Sequence, residues 1–139
     1  TFSESCLYIF VVFYGRQLIS TWYCFLNTLD YVAYYMPLSG DCWAGNTPAD
    51  KAKVVADVVK KSGYTTRDFF VMCATGTKDI AYDALSAQVD EMKKLPDQFD
   101  YTSDFSKGNF YFLTCPDATH WWGNVVHYIY DALPYFFHE

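Results

Sequence analysis

Apolar positions follow two alternating rhythms along this chain. Leu7–Phe13 (LYIFVVF) is an unbroken, β-rich apolar run, the pattern of a strand buried on both faces. Leu18, Ile19, Trp22, Phe25, Leu26 and Leu29 then recur at helical spacing. Val32–Met36 predicts a second short strand, stopped by Pro37 and the turn-like Ser39-Gly40-Asp41. Thr47-Pro48-Ala49-Asp50 predicts a helix start: Thr47 caps, Pro48 suits the first helical position, and Asp50 favours the positive end. Val54, Val55, Val58 and Val59 make that helix's apolar stripe, and Gly63 ends it. Phe69–Thr75 (FFVMCAT) predicts a third strand, and a helix is expected from about Ile80 to Leu95. Ala81, Leu85, Val89 and Met92 share one face of it, with Pro96 beyond its end. Asn109–Cys115 (NFYFLTC) predicts a fourth strand, and His120 to about Phe136 a last helix.

Strand and helix thus alternate four times. That order predicts an α/β fold with a mainly parallel sheet and helices on both faces. A length of 139 residues suits one domain, and a hydrophobic fraction of 52% is enough to fold. No internal repeat, linker or low-complexity tract interrupts the pattern.

Charge and cysteine usage narrow the function. A net charge of −6 argues against nucleic acid, which needs clustered cations; Lys51, Lys53, Lys60 and Lys61 instead read as one solvated helix face. The five cysteines, Cys6, Cys24, Cys42, Cys73 and Cys115, are odd in number, widely spaced and without a C-x-x-C pair. Neither a zinc site nor a disulfide framework is expected. Leu7–Phe13 lacks the basic flank and cleavage site of a signal peptide and is too short to span a bilayer, so no membrane partner is expected. Aromatics make up 21% of residues, 13 of them Tyr, 12 Phe and 4 Trp. Flat rings with polar tips often line carbohydrate or aromatic-ligand sites, and they serve equally in a Tyr-rich core and rim.

In open α/β sheets ligands bind beyond the carboxyl ends of the strands. After the predicted second strand comes Ser39-Gly40-Asp41-Cys42-Trp43, and after the third Gly76-Thr77-Lys78-Asp79. The fourth is followed by Pro116-Asp117-Ala118-Thr119-His120-Trp121-Trp122. An acid and a histidine on the last two strand ends, in that order, suit a Ser…Asp…His hydrolase. The same residues would also serve as ordinary loop polars.

Longer strings make the resemblance specific. Leu29-Asp30-Tyr31-Val32-Ala33-Tyr34-Tyr35-Met36-Pro37-Leu38-Ser39-Gly40-Asp41, Thr75-Gly76-Thr77-Lys78-Asp79-Ile80-Ala81-Tyr82 and Asp100-Tyr101-Thr102-Ser103-Asp104-Phe105 resemble the family-one carbohydrate esterases. These are the feruloyl esterases attached to bacterial xylanases. The likeness continues through Ala118-Thr119-His120-Trp121-Trp122-Gly123 and Tyr128-Ile129-Tyr130-Asp131-Ala132-Leu133-Pro134-Tyr135-Phe136-Phe137, and covers the chain from near Thr21 to its end. The resemblance implies a partial α/β-hydrolase fold, residues 1–139 being the C-terminal part of one esterase domain. It implies Asp79 as the triad acid, His120 as the triad base, and Trp43, with Asp41 beside it, at the pocket for the ferulate ring. The implied activity is hydrolysis of esters that join ferulic acid to arabinose on xylan, with an acetyl-xylan-type esterase as a variant. The implied setting is extracellular, in a parent gene that joins the esterase to a xylanase. His127 and His138 match non-catalytic positions. No metal or organic cofactor is expected: a zinc site on His120 and His127 would still need a third ligand.

The nucleophile breaks the pattern. Aligned on Thr21-Trp22-Tyr23, the family's elbow Gly-Phe-Ser-Met-Gly falls over Phe13-Tyr14-Gly15-Arg16-Gln17, so the serine position holds Gly15. Ser20 and Ser39 lie away from the strained turn that an elbow requires. Val12–Gln17 can be written GTT TTC TAT GGG CGG CAA, and the same letters shifted by one base read Phe-Ser-Met-Gly-Gly. A local frameshift within residues 1–20 is one expectation. A chain that has lost its serine, and acts as a non-catalytic module binding feruloylated xylan, is the other. The family's domain is about twice this long, near the ~250 residues of single α/β domains. The remaining half is expected to supply further strands and the second oxyanion-hole donor, with the Arg16 backbone N–H in the place of the first. Losing one such donor alone costs ~100- to 1,000-fold in rate. A half sheet should also leave an open edge and a large apolar face, and so be poorly stable.

Overall fold

The rhythm of the sequence becomes four consecutive strand–helix units. The computed structural model describes residues 7–9 and 21–136, the first of these segments as backbone. The strands are β1 (Leu7–Ile9), β2 (Val32–Tyr35), β3 (Phe70–Lys78) and β4 (Phe110–Thr119). The helices are α1 (Thr21–Thr28), α2 (Pro48–Ser62), α3 (Tyr82–Met92) and α4 (Trp122–Phe136). All strand pairings are parallel, and the order across the sheet is the order along the chain. The readings placed on residues 10–20, the elbow position Gly15 among them, lie outside the described residues.

This order dictates where the helices go. Right-handed crossovers that always step in the same direction must lay their helices on one face. Accordingly α1, α2 and α3 pack together through a core of Trp22, Phe25, Val55, Val59, Leu85 and Val89, with Phe69, Phe99 and Phe110. The opposite face carries α4, whose Val125, Tyr128, Ala132 and Phe136 rest on Met36, Met72 and Ala74. Helices therefore cover both faces as expected, three against one.

Local signals set the best-read element. Thr47 accepts from the Asp50 backbone N–H, and Asp50 accepts from that of Thr47, a reciprocal capping box. Gly63 closes α2 at φ 75°, in the left-handed region that glycine enters without strain. The buried stripe is Ala52, Val55, Ala56 and Val59; Val54 and Val58, expected within it, are only half-buried. Strands β3 and β4 run past their expected ends, to Lys78 and Thr119. Helix α3 is shorter than expected, because Ile80 and Ala81 belong to a turn in which Tyr82 N–H donates to the Asp79 carbonyl. Ile80 is 87% exposed.

Candidate active site

Asp79 and His120 are the first residues beyond β3 and β4, two neighbouring parallel strands. Regular pairing runs from Val71↔Phe110 to Gly76↔Cys115, then breaks and resumes at Lys78↔Thr119, so β4 carries extra residues there. Gly76 permits this irregularity: a Cβ on it would lie 2.1 Å from the Ala118 carbonyl oxygen. Asp117, at φ 59°, takes the strained position in the bulge. Its N–H donates to Thr77 Oγ1 at 2.8 Å and its carboxylate pairs with Lys78 at 2.7 Å. The bulge brings the residue after β4 level with the residue after β3.

The two expected partners meet. His120 Nδ1 lies 2.9 Å from Asp79 Oδ1. The Asp79 side chain is 1% exposed and that of His120 36%, so a buried carboxylate holds a ring that reaches solvent. The Ala81 N–H donates to the same Oδ1 at 2.8 Å, fixing the carboxylate from the turn that precedes α3. With Nδ1–H donating to Asp79, Nε2 is the ring atom that can take a proton, and the carboxylate stabilises the imidazolium that results. Asp79 Oδ2 is buried with no hydrogen-bond partner among the described residues.

The loop after β2 forms the other side of the strand tips. Its backbone continues the pairing with β3: Ala74 N–H donates to the Pro37 carbonyl at 3.0 Å and Ser39 N–H to the Ala74 carbonyl at 2.9 Å. Ser39 sits at φ 48°, an uncommon setting for a residue other than glycine. Trp22 Nε1 donates to the Gly40 carbonyl at 3.0 Å, and the Cys42 N–H donates to Gln88 Oε1 at 2.6 Å. Helices α1 and α3 therefore clamp this loop from below. Asp41 is paired with Lys51 on α2, while Trp43 is exposed. Trp121, beside His120, is also exposed; its indole occupies the space that a Cβ on Gly123 would need, 2.2 Å away.

Gly76 and Gln88 were passed over in the sequence. Gly76 read as a loop glycine, whereas close approach of β4 requires it. Gln88 carried a usable signal, a lone polar residue among the Leu85, Val89 and Met92 face, and it is buried because it holds Cys42. Among the described residues no three His, Cys, Asp or Glu side chains group to hold a metal ion. Cys24, Cys42, Cys73 and Cys115 are free thiols, and burial pushes the Cys73 thiol up from its ordinary value. No helix among the described residues is long and apolar enough to cross a membrane.

Comparison with known proteins gives a consistent set of relatives. Endo-1,4-beta-xylanase Y of Acetivibrio thermocellus is 63% identical over 121 residues, which are 87% of this chain and 11% of the xylanase. A mutant of the feruloyl esterase module from Clostridium thermocellum, solved in complex with sinapinate, aligns at a TM-score of 0.82 and 65% identity. That alignment covers 86% of this chain and 42% of the solved chain, so the chain spans less than half of the module it matches. No family model matches the chain.

Proposed function

Because the chain belongs to the family of feruloyl esterase modules, we propose that it derives from a carboxylic ester hydrolase that releases ferulic acid from feruloylated arabinoxylan. The carrying observation is the 2.9 Å contact between His120 Nδ1 and Asp79 Oδ1 at adjoining strand tips. In this mechanism a serine at position 15 attacks the ester carbonyl while His120 Nε2 takes its proton. His120 returns that proton to the departing arabinose hydroxyl. Water then attacks the acyl-enzyme by the same route, freeing ferulate and the serine. Asp79 orients the imidazole and stabilises its charged form. Trp43 supplies a flat surface for the phenolic ring, in keeping with the sinapinate, another phenolic acid, bound by the related module. The xylanase relative supports attachment to a xylanase, and a xylan substrate is in keeping with an extracellular setting.

Gly15 has no oxygen with which to attack, so the chain as written is expected to be inactive. This supports a second reading, a non-catalytic module that retains Trp43 and Trp121 for feruloylated xylan. A frameshift within residues 1–20 gives a third account of the same glycine. Reading the source DNA in three frames tests it: unrelated codons over residues 12–17 in an unbroken frame would remove it.

The enzymatic reading is tested by joining the chain to the upstream part of the Clostridium thermocellum module, with Gly-Phe-Ser-Met-Gly restored over residues 13–17. Methyl ferulate hydrolysis is then measured with and without His120→Ala. Turnover that drops on the order of 10⁶-fold in the His120→Ala variant, the scale at which triads lose rate, is the expected result. Turnover insensitive to His120 would sink the assignment. Xylan binding by the original chain, with no hydrolysis in the restored one, would favour the non-catalytic module.

A further inference from the structure

A loop that has left the sheet is held by something other than ladder hydrogen bonds. After Ser39 the backbone parts from β3, and among the described residues no backbone-to-backbone hydrogen bond engages residues 40–46. Three helices supply side chains instead, one to each of three successive residues. Trp22 of α1 donates to the Gly40 carbonyl, Lys51 of α2 pairs with Asp41, and Gln88 of α3 accepts from the Cys42 N–H. These three holds are unequal. The Lys51–Asp41 pair is half-buried and reaches solvent, where an ion pair contributes little. Trp22 belongs to the apolar core whatever its indole N–H bonds. Gln88 is different: it is fully buried on the α3 face that carries Leu85, Val89 and Met92. Apart from Cys42, its amide meets only the Met92 Sδ among the described residues, at 3.6 Å, a weak acceptor. Burying an amide on an apolar face costs free energy that a hydrogen bond must offset. The 2.6 Å bond to Cys42 is that hydrogen bond.

We propose that Gln88 is a positioning residue for the acyl pocket: its bond to Cys42 sets the place of Trp43, and with it the preference for a ring-bearing acyl group. Cys42 is fully buried, whereas Trp43, the next residue, is 55% exposed. The anchored N–H thus lies one residue from the indole, at the point where the chain turns from core to surface. A flat acyl group gains from stacking only when the ring it meets is held in one place. Side chains that touch a ligand need that support from the residues behind them. Gln88 touches no ligand and acts through the backbone of Cys42. The inference rests on the reading of Trp43 as the surface for the phenolic ring, and not on the serine mechanism.

The test uses the chain joined to the upstream part of the Clostridium thermocellum module, with Gly15 in place for binding and with the serine restored for turnover. Gln88→Met keeps the length of the side chain and removes the acceptor. Its Kd for methyl ferulate is expected to rise about tenfold, the equivalent of one net hydrogen bond. KM for methyl ferulate should rise with it while kcat stays within about twofold. Hydrolysis of para-nitrophenyl acetate, whose acyl group has no ring, should match that of the parent. Trp43→Ala should raise the same Kd, and adding Gln88→Met to it should raise it no further. An unchanged Kd in Gln88→Met overturns the proposal. So does an equal loss of turnover on both esters, which would make Gln88 a residue of the fold alone. A rise in Kd of the same size with and without Trp43 overturns it too. Absence of methyl ferulate binding in the parent overturns it together with the reading of Trp43. Binding without turnover after the serine is restored overturns the hydrolase mechanism instead, and Kd then decides the role of Gln88.

Discussion

The two faces of the sheet are finished to different degrees. On one, α1, α2 and α3 enclose a chain of rings: Trp22, Phe25, Phe69, Phe99 and Phe110 make edge-on contacts with centroids 5.5 to 6.2 Å apart. Each helix on that face is the crossover of its own strand–helix–strand unit, so residues close in sequence complete it. On the other face α4 stands alone among the described residues, with an exposed apolar flank; buried polar atoms without a partner among the described residues occur on both faces, Tyr128 Oη here and Tyr35 Oη on the closed one, with Asp79 Oδ2 at the strand ends. Consecutive βα units can close the face on which their crossovers lie. The opposite face has only α4 among the described residues, and Asp79 and His120 meet at the strand ends.

The largest expected effect tests that contrast directly. Phe69→Ala removes a fully buried ring from the closed face and should cost about 3–5 kcal/mol of unfolding free energy. Leu133→Ala, on the open flank of α4, should stay within about 0.5 kcal/mol. Urea denaturation of both variants decides the matter. Equal losses would mean that the α4 flank is already covered in solution, and the comparison would fail.

Gly76→Ala should have an intermediate effect, about 1–3 kcal/mol, the cost of forcing an extra carbon into a packed site. Its Cβ would meet the Ala118 carbonyl at 2.1 Å, and backbone cannot swing aside as a side chain can. The strain falls where β4 bulges to bring His120 level with Asp79. In the serine-restored, joined protein the variant should therefore lose methyl ferulate turnover more steeply than its melting temperature predicts. A variant with normal turnover and stability would show that the bulge does not position the pair.

The same bulge marks where sequence reasoning stopped. Both ends of helix α2 were legible because their signals are local: Thr47, Pro48 and Asp50 at one end and Gly63 at the other. The ends of β3 and β4 were not. Gly76, Thr77 and Lys78, and Pro116, Asp117 and Ala118, are residue types that turn rules assign to loops. Pairing between the two segments, distant in sequence, keeps them in the sheet. The acid and the histidine were legible all the same, since the rule of ligands beyond strand ends tolerates a shift of a few residues. The ion pair that engages Asp41 was hidden, because it depends on where Lys51 of α2 comes to rest. The start of α3 falls later than expected for the converse reason: Ile80 and Ala81 lie in a turn fixed by the Asp79 carboxylate.

The smallest expected effect sharpens the account of the open face. Tyr128 is buried under α4, and its hydroxyl has no partner among the described residues. A buried, unsatisfied polar atom costs free energy that an apolar isostere does not. Tyr128→Phe keeps the ring against Met36 and Met72 and should leave stability unchanged at neutral pH, or raise it by up to about 1 kcal/mol. Its signature lies at alkaline pH. Burial first, then the neighbouring Cys115 and Asp79, push the hydroxyl up to about 12 from an ordinary value of 10.0. Between those values the unfolded chain releases this proton while the folded chain keeps it, so folding stability falls as pH rises from 10 to 12. Tyr128→Phe removes that portion of the alkaline loss, and its unfolding free energy should decline less steeply across the window than that of the parent. Identical alkaline slopes would show that the hydroxyl reaches water, and that the face beneath α4 is wetter than its burial indicates.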